Sequence, residues 1–161
     1  MTRYELFLFL HIAGVIVWLG AGTTVAVLSQ RVPISEHAEW LGPRVFAPAS
    51  LGSLAFGLAL VFEGDWTFEP LWIQLGLGAF ALSTLLNVTI RLPLLRRNPP
   101  DRDRKLAALA RVELAVLYLA VADMVAKPTG DDVTALAVGG ALLALVASAS
   151  VTRLRIGRTV S

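Results

Sequence analysis

The chain has 161 residues, of which 56% are hydrophobic and 16% are charged, and its mean hydropathy is +0.69. Polar residues are too few to cover the surface of a water-soluble globule, and lipid is therefore the expected solvent. The net charge of +2 does not indicate nucleic-acid binding, because the basic residues lie at the ends of apolar segments, and the absence of cysteine excludes disulfides and thiolate metal sites.

Five apolar stretches follow one another along the chain, near residues 4–28, 45–62, 71–95, 106–126 and 133–151. Each is close to the roughly 20 residues that a helix needs to cross a bilayer. The connections are too short to hold a soluble module. The sequence therefore predicts one all-α domain over residues 1–161, a polytopic transmembrane helical bundle of about five spans. The fourth stretch is the weakest, because it contains charged residues.

The basic residues favour one orientation of these spans. If the first loop, the third loop and the C-terminal tail lie in the cytoplasm, only Arg3 and Lys127 of the 14 lysines and arginines remain outside. This separation requires all five stretches to span. We therefore predict a multi-pass membrane protein with its N-terminus outside and its C-terminus in the cytoplasm. A cleavable signal peptide is the alternative for the first stretch, but cleavage would put Arg31 and Arg44 outside.

Small residues recur at helical spacing in three of the stretches. In lipid, such residues let helix backbones approach closely, so we interpret them as bundle packing and keep a pore or dimer face as the alternative. They are Ala49, Ser53 and Gly57 in the second stretch, Ala79 and Ser83 in the third, and Gly140, Ala144 and Ser148 in the fifth. Tryptophans near the predicted interfaces form an aromatic belt to which we assign no chemistry: Trp40, Trp66 and Trp72.

Ionisable residues at membrane depth are the candidates for function, because each must be paired or face a cavity. His11 lies about two turns into the first span, and Trp18 returns to nearly the same face seven residues later. Asp123 is expected at the depth of His11, where its carboxylate could orient the imidazole. These three residues are the candidate cofactor-binding set. Local pairing of Asp123 with Lys127, four residues later, is the alternative.

A second polar group is predicted on the third and fourth spans. Ser83, Asn87 and Arg91 recur every four residues, and Glu113 is expected at a similar level. An Arg91–Glu113 pair would act as a structural tie or as part of a polar pocket. We predict no metal site and no identified catalytic residue, and no motif typical of phosphate binding or serine nucleophiles is present.

Three segments of the sequence resemble a family of bacterial predicted integral membrane proteins labelled only as a domain of unknown function. They are residues 10–20 (LHIAGVIVWLG), 39–48 (EWLGPRVFAP) and 120–128 (AVADMVAKP). That resemblance implies a location in the bacterial inner (cytoplasmic) membrane and implies no activity. More distantly, the spacing from His11 to Trp18 is similar to that in CopD-type copper-resistance proteins and HemJ-type protoporphyrinogen oxidases. By this resemblance His11 matches a haem-associated histidine, which makes haem the one cofactor suggested.

The sequence supports three hypotheses. The leading one is a non-catalytic or accessory membrane component, in contact with the lipid bilayer and with a membrane-protein partner or further copies of itself, and not with nucleic acid. The second is a haem-linked or porphyrin-linked redox protein using His11. The third is a pathway for a small solute or ion, based on Asn87, Arg91 and Glu113.

Overall fold

The computed structural model describes residues 1–29, 40–129 and 131–156, and all regular secondary structure in these ranges is helical. This confirms the predicted all-α fold. The described ranges contain five helices, which we number α1 to α5. They are α1 (Arg3–Leu28), α2 (Gly42–Glu63), α3 (Leu71–Arg97), α4 (Arg102–Ala126) and α5 (Val133–Ile156).

Three of these helices, α1, α2 and α3, are long and apolar enough to cross a membrane. In α5 the apolar segment is shorter, Leu136–Ser150, and α4 does not meet the same criterion of length and composition. The two helices with the weaker apolar character are therefore the fourth and fifth of the predicted spans. For α4, the position of the helix within the bundle explains its low hydropathy.

Helix α4 packs against α1, α3 and α5 and lies inside the bundle. Its residues are more often buried than those of any other described helix, and the buried ones are Leu106, Ala107, Ala108, Leu109, Ala110, Glu113 and Val116. A helix enclosed by other helices does not need an apolar exterior, so it can carry charged groups that a lipid-facing helix cannot. The low hydropathy of α4 follows from its interior position.

The outer surface of the bundle is apolar. Among the described residues, 26 large hydrophobic or aromatic side chains are exposed, including Phe9, Ile16, Leu85 and Leu145. A soluble monomer rarely exposes so many large apolar side chains to water, whereas a bilayer solvates them. The exposed side chains thus indicate the lipid environment that the composition predicts.

The helices alternate in direction, so their ends form two groups. At one end, Val25, Leu106 and Ala110 form a buried apolar cluster with Phe46 and Leu95, which joins α1, α2, α3 and α4. We call this the arginine end. At the other end, which we call the tryptophan end, the ring of Trp66 contacts the ring of Trp72 and lies beneath the ammonium group of Lys127.

The charges differ between the two ends. Near the arginine end lie eight described basic residues, which are Arg44, Arg91, Arg96, Arg97, Arg102, Arg104, Lys105 and Arg111. At the tryptophan end, the described basic side chains are Arg3 and Lys127, and several exposed acids lie beside them. Of the other basic residues assigned to the cytoplasm, Arg31 and Arg158 lie outside the described residues, and the side chains of Arg153 and Arg155 are not described.

Helices α1 and α2 make the most extensive contact in the bundle. At Gly14 an added Cβ would lie 3.2 Å from the carbonyl oxygen of Ala49 and 3.2 Å from the backbone nitrogen of Ser53. At Gly57 it would lie 3.1 Å from the His11 ring. The small residues predicted to serve bundle packing in the second span do so, because they let the two backbones approach closely.

The small residues of α5 are arranged differently. Gly140 is exposed, an added Cβ there would meet nothing within 4 Å, and Ala144 is also exposed. Contact with α4 comes instead from Gly139, where a Cβ would lie 3.8 Å from the Leu119 side chain. For Gly140 and Ala144 the interpretation as packing within this bundle is therefore wrong.

Two short π-helical segments lie near the arginine end, and each ends two residues before a proline. Gly42–Phe46 comes before Ala47 and Pro48, and Asn87–Arg91 comes before Leu92 and Pro93. A proline has no N–H and its ring clashes with the carbonyl four residues earlier. The preceding N–H then bonds five residues back, as Ala47 does to Gly42 and Leu92 to Asn87. The prolines thus account for the widened turns.

A short turn leads into α5. The Asp132 carboxylate accepts hydrogen bonds from the backbone N–H of Thr129 at 2.7 Å and from its hydroxyl at 3.0 Å. The backbone N–H of Thr129 holds the pKa of Asp132 below its ordinary value, and the hydroxyl adds to this effect. The carbonyl of Asp132 accepts a bond from the N–H of Leu136, so Asp132 occupies the N-cap position.

Candidate functional site

The buried carboxylate of Glu113 is the centre of a polar network between α3 and α4. Its Oε1 accepts a hydrogen bond from the side-chain amide of Asn87 at 2.9 Å. Its Oε2 forms an ion pair with Nη2 of Arg91. The contact between Arg91 and Glu113 that the sequence predicts is present, and Asn87 joins it.

The π-helical segment of α3 positions both donors of this network. Asn87 and Arg91 are its first and last residues, and both side chains reach toward α4. The amide of Asn87 also donates to the carbonyl of Ser83 at 2.9 Å, which fixes its orientation. π-Helical turns within α-helices often occur at functional sites. Here the turn places two donors against one carboxylate.

Arg91 has a second contact and one unused donor. Its guanidinium carbon lies 6.0 Å from the centre of the Phe46 ring, which belongs to the π-helical segment of α2. Its Nε is buried and has no hydrogen-bond partner among the described residues. Arg91 therefore connects α2, α3 and α4, and its charge is compensated by Glu113 and by the face of an aromatic ring.

His11, the candidate cofactor residue, faces α2. Its Nδ1 lies 2.8 Å from the backbone carbonyl oxygen of Ser53, and the Ser53 hydroxyl lies 3.4 Å from the same nitrogen. Because a carbonyl only accepts, Nδ1 carries the proton, and in the neutral ring Nε2 then has a free lone pair. This is the tautomer that a histidine ligand bound through Nε2 requires.

The other two candidate cofactor residues make no hydrogen bond to His11 among the described residues. Trp18 packs edge-on against Phe80 of α3, with the ring centres 6.1 Å apart. Asp123 does not contact the imidazole by a hydrogen bond, because both of its carboxylate oxygens are buried without a partner among the described residues. His11 thus contacts α2 and Trp18 contacts α3, and a cofactor site shared by the three residues stays a prediction.

The alternative prediction for Asp123, local pairing with Lys127, is wrong. Lys127 follows the last residue of α4 in the left-handed conformation, with φ of 47°. Its ammonium nitrogen lies 5.7 Å from the Trp66 ring centre and 5.3 Å from that of Trp72. The left-handed residue turns the chain away from the helix axis, so Lys127 reaches the tryptophans and not the carboxylate one turn earlier.

Sequence reasoning missed two features of these sites. The first is Ser53, assigned only to packing, whose carbonyl fixes the His11 tautomer. The second is the cation contact of Lys127 with two tryptophans that were given no chemistry. Both arise between helices, so one sequence offers no periodic pattern to find them.

Comparison with known proteins leaves the site to be interpreted from its own geometry. No protein-family model, curated protein or solved structure matches this chain. Within the described ranges, no group of three or more metal-ligating His, Cys, Asp or Glu side chains occurs. Among the described residues, the polar groups left to interpret include the Glu113 network, His11 and the buried carboxylate of Asp123.

We expect the Glu113 network to contribute to stability as one unit. Arg91→Met or Glu113→Met leaves the opposite charge buried without its partner, so each should lower the free energy of unfolding by about 3 kcal/mol. In the double variant the free energy of unfolding should fall by clearly less than the sum of the two single losses, because both charges are removed. Unfolding in mixed detergent, followed by circular dichroism, measures all three.

The matched control is Lys105→Met, which breaks a more exposed ion pair with Asp101, 2.9 Å long. It should cost less than about 1 kcal/mol. Two results would contradict a stabilising network. One is a double variant whose loss in the free energy of unfolding equals the sum of the losses for Arg91→Met and Glu113→Met. The other is a loss in either single variant no larger than that in Lys105→Met.

Proposed function

We propose that this chain is a five-span protein of the bacterial inner membrane, with its N-terminus outside, that serves as a non-catalytic or accessory component. The observation that carries this proposal is the position of α4. The least apolar helix packs against three others and has the most buried residues, whereas large apolar side chains are exposed on the exterior. That is the distribution a bundle needs in lipid, where charged groups must face the interior.

The geometry of Glu113 favours a structural role for the network over a solute pathway. Each oxygen of the carboxylate is bound to a donor on α3, and one of those donors is itself fixed by Ser83. A group engaged in this way holds two helices together. The solute-pathway hypothesis and the resemblance to the family of unknown function stay predictions.

An accessory component needs a surface for its partner, and α1 offers one on its exposed side. A groove of about 520 Å³ is lined by Ile16, Leu19, Gly20, Thr23, Thr24, Val27 and Tyr118. An added Cβ at Gly20 would meet nothing within 4 Å. Gly20 and Thr24 are small and one turn apart, a spacing that allows another transmembrane helix to approach closely. We assign this groove to a helix of a membrane-protein partner.

The topology can be tested with single cysteines, because the chain has none. A membrane-impermeant maleimide added to intact spheroplasts should label Thr67→Cys and Asp131→Cys, since both lie in exposed turns at the tryptophan end. Pro100→Cys should be labelled only after the membrane is permeabilised. Labelling of Asp131→Cys only after permeabilisation would show that α4 does not span, and would contradict the proposal.

The accessory role predicts a stable partner at the groove. Native mass spectrometry of the protein extracted from its own membranes should give a mass above 17.2 kDa that includes a second polypeptide. A bifunctional thiol-reactive crosslinker should join that polypeptide to Gly20→Cys. The matched control is Leu51→Cys on the exposed side of α2, which should give no such product. A monomeric mass, a multiple of one chain, or equal crosslinking at both positions would contradict the proposal.

A second candidate function, haem binding, is favoured by the hydrogen bond of His11. The Ser53 carbonyl holds the proton on Nδ1, so Nε2 can donate its lone pair to iron. Of the three predicted cofactor residues, His11 is the one whose geometry fits this role. Bound haem would supply one-electron chemistry, and the part played by this chain would be to orient the ring through Ser53.

This second function predicts a Soret band when haem is supplied to the detergent-purified protein, and its loss in His11→Ala. Ser53→Ala is the matched control, because it removes the hydroxyl but leaves the backbone carbonyl that binds Nδ1. The band should therefore persist in Ser53→Ala. Absence of the band in the wild-type protein, or its persistence in His11→Ala, would exclude His11 as a haem ligand.

A further inference from the structure

Two tryptophans at the tryptophan end hold a cation between them. The rings of Trp66 and Trp72 are 5.6 Å apart and nearly perpendicular, at 82°. The ammonium nitrogen of Lys127 lies within 6 Å of both ring centres, at 5.7 and 5.3 Å. Tryptophan has the most favourable ring face for a cation. The pair thus forms a cation site that an internal ammonium group occupies.

The chain is shaped to form this pair. At Gly64 an added Cβ would lie 2.6 Å from Cδ1 and 2.7 Å from Nε1 of Trp66, so the indole packs directly on the glycine. Asp65 takes a left-handed conformation with φ of 51°, and the N–H of Trp66 bonds to the carbonyl of Val61. The turn after α2 therefore folds Trp66 back toward the start of α3, where Trp72 lies.

The surroundings of the pair suit an external cation. Exposed carboxylates surround the turn, at Glu63, Asp65 and Glu69. Among the described residues, the ammonium of Lys127 makes no ion pair with a carboxylate, so the aromatic faces are its main contacts. Trp66 itself is 44% exposed. An incoming cation therefore meets negative charge first and accessible aromatic surface next.

We propose that Trp66 and Trp72 bind an external alkylammonium cation, of the quaternary trimethylammonium class, and that Lys127 is an internal competitor for the same site. A trimethylammonium group is more weakly hydrated than a lysine ammonium, so it loses less hydration free energy when it moves from water to an aromatic face. The cation comes either from a lipid headgroup at the membrane surface or from a free solute. This site is separate from the Glu113 network and from His11, so it does not rest on the proposed function.

The test measures tryptophan fluorescence of the full-length protein in nanodiscs during titration with tetramethylammonium. Trp18→Phe and Trp40→Phe are introduced throughout, so that the signal reports Trp66 and Trp72. In phosphatidylglycerol nanodiscs we expect weak saturable binding, which Lys127→Met strengthens by about tenfold because the competitor is gone. Lys127→Arg keeps a cation in the site and should bind as weakly as the parent protein.

Two further variants distinguish binding at the pair from a general change of charge or fold. Trp72→Leu, introduced into the Lys127→Met protein, should abolish saturable binding while circular dichroism and gel filtration stay unchanged. Lys105→Met removes one positive charge at the opposite end and should leave the affinity unaltered. No gain in affinity in Lys127→Met, an equal gain in Lys105→Met, or binding that survives Trp72→Leu would overturn the proposal.

The two sources of the cation are separated by lipid composition. If a lipid headgroup occupies the pair, nanodiscs of phosphatidylcholine should mask the titration of the Lys127→Met protein with tetramethylammonium. If the site takes a free solute, the titration should be the same in phosphatidylcholine and in phosphatidylglycerol. Either result supports the cation site and identifies where its ligand comes from.

Discussion

The buried charge of Glu113 constrains most of this structure. A carboxylate inside a helical bundle loses its water, and its desolvation must be offset by donors from a neighbouring helix. Asn87 and Arg91 provide those donors from α3, so α3 and α4 must lie side by side in one register. Helices α1 and α5 also pack against α4, and the Glu113 carboxylate is buried among them.

The prolines near the arginine end contribute to the same arrangement. Pro93 forces the widened turn that ends in Arg91, and Pro48 forces the one that ends in Phe46. Those two residues then contact each other, with the guanidinium 6.0 Å from the ring centre. A feature that appears as two unrelated helix breakers in the sequence is therefore part of one contact region around Arg91.

The tryptophan end shows how a local pattern can give way to a longer-range contact. Asp123 and Lys127 have the spacing of a helical ion pair, yet α4 ends between them and Lys127 turns toward Trp66 and Trp72. The Asp123 carboxylate is left buried without a hydrogen-bond partner in the described part of the chain. The ammonium group of Lys127 therefore has two aromatic faces as its partners in place of the Asp123 carboxylate, which the turn puts out of reach.

Much of the fold follows from the sequence. The apolar stretches predicted near residues 4–28 and 71–95 are helices whose ends lie within one or two residues of those bounds. In lipid, a single apolar segment of about 20 residues satisfies its backbone hydrogen bonds by forming a helix. The contact of Arg91 with Glu113 was predicted because a buried charge requires an opposite charge at the same depth. The shared polar edge of Asn87 and Arg91 followed from helical spacing.

Only the tertiary structure decided which face of each helix meets which neighbour. Periodicity places His11 and Trp18 on nearly one face, but it does not show that His11 meets Ser53 while Trp18 meets Phe80. It also gave Gly140 and Ala144 the same role as Ala49 and Ser53, although the first two face outward. The physical reason is that hydropathy specifies depth in the bilayer, whereas rotation about the helix axis depends on close contacts between helices, and in lipid those contacts are not selected by apolarity.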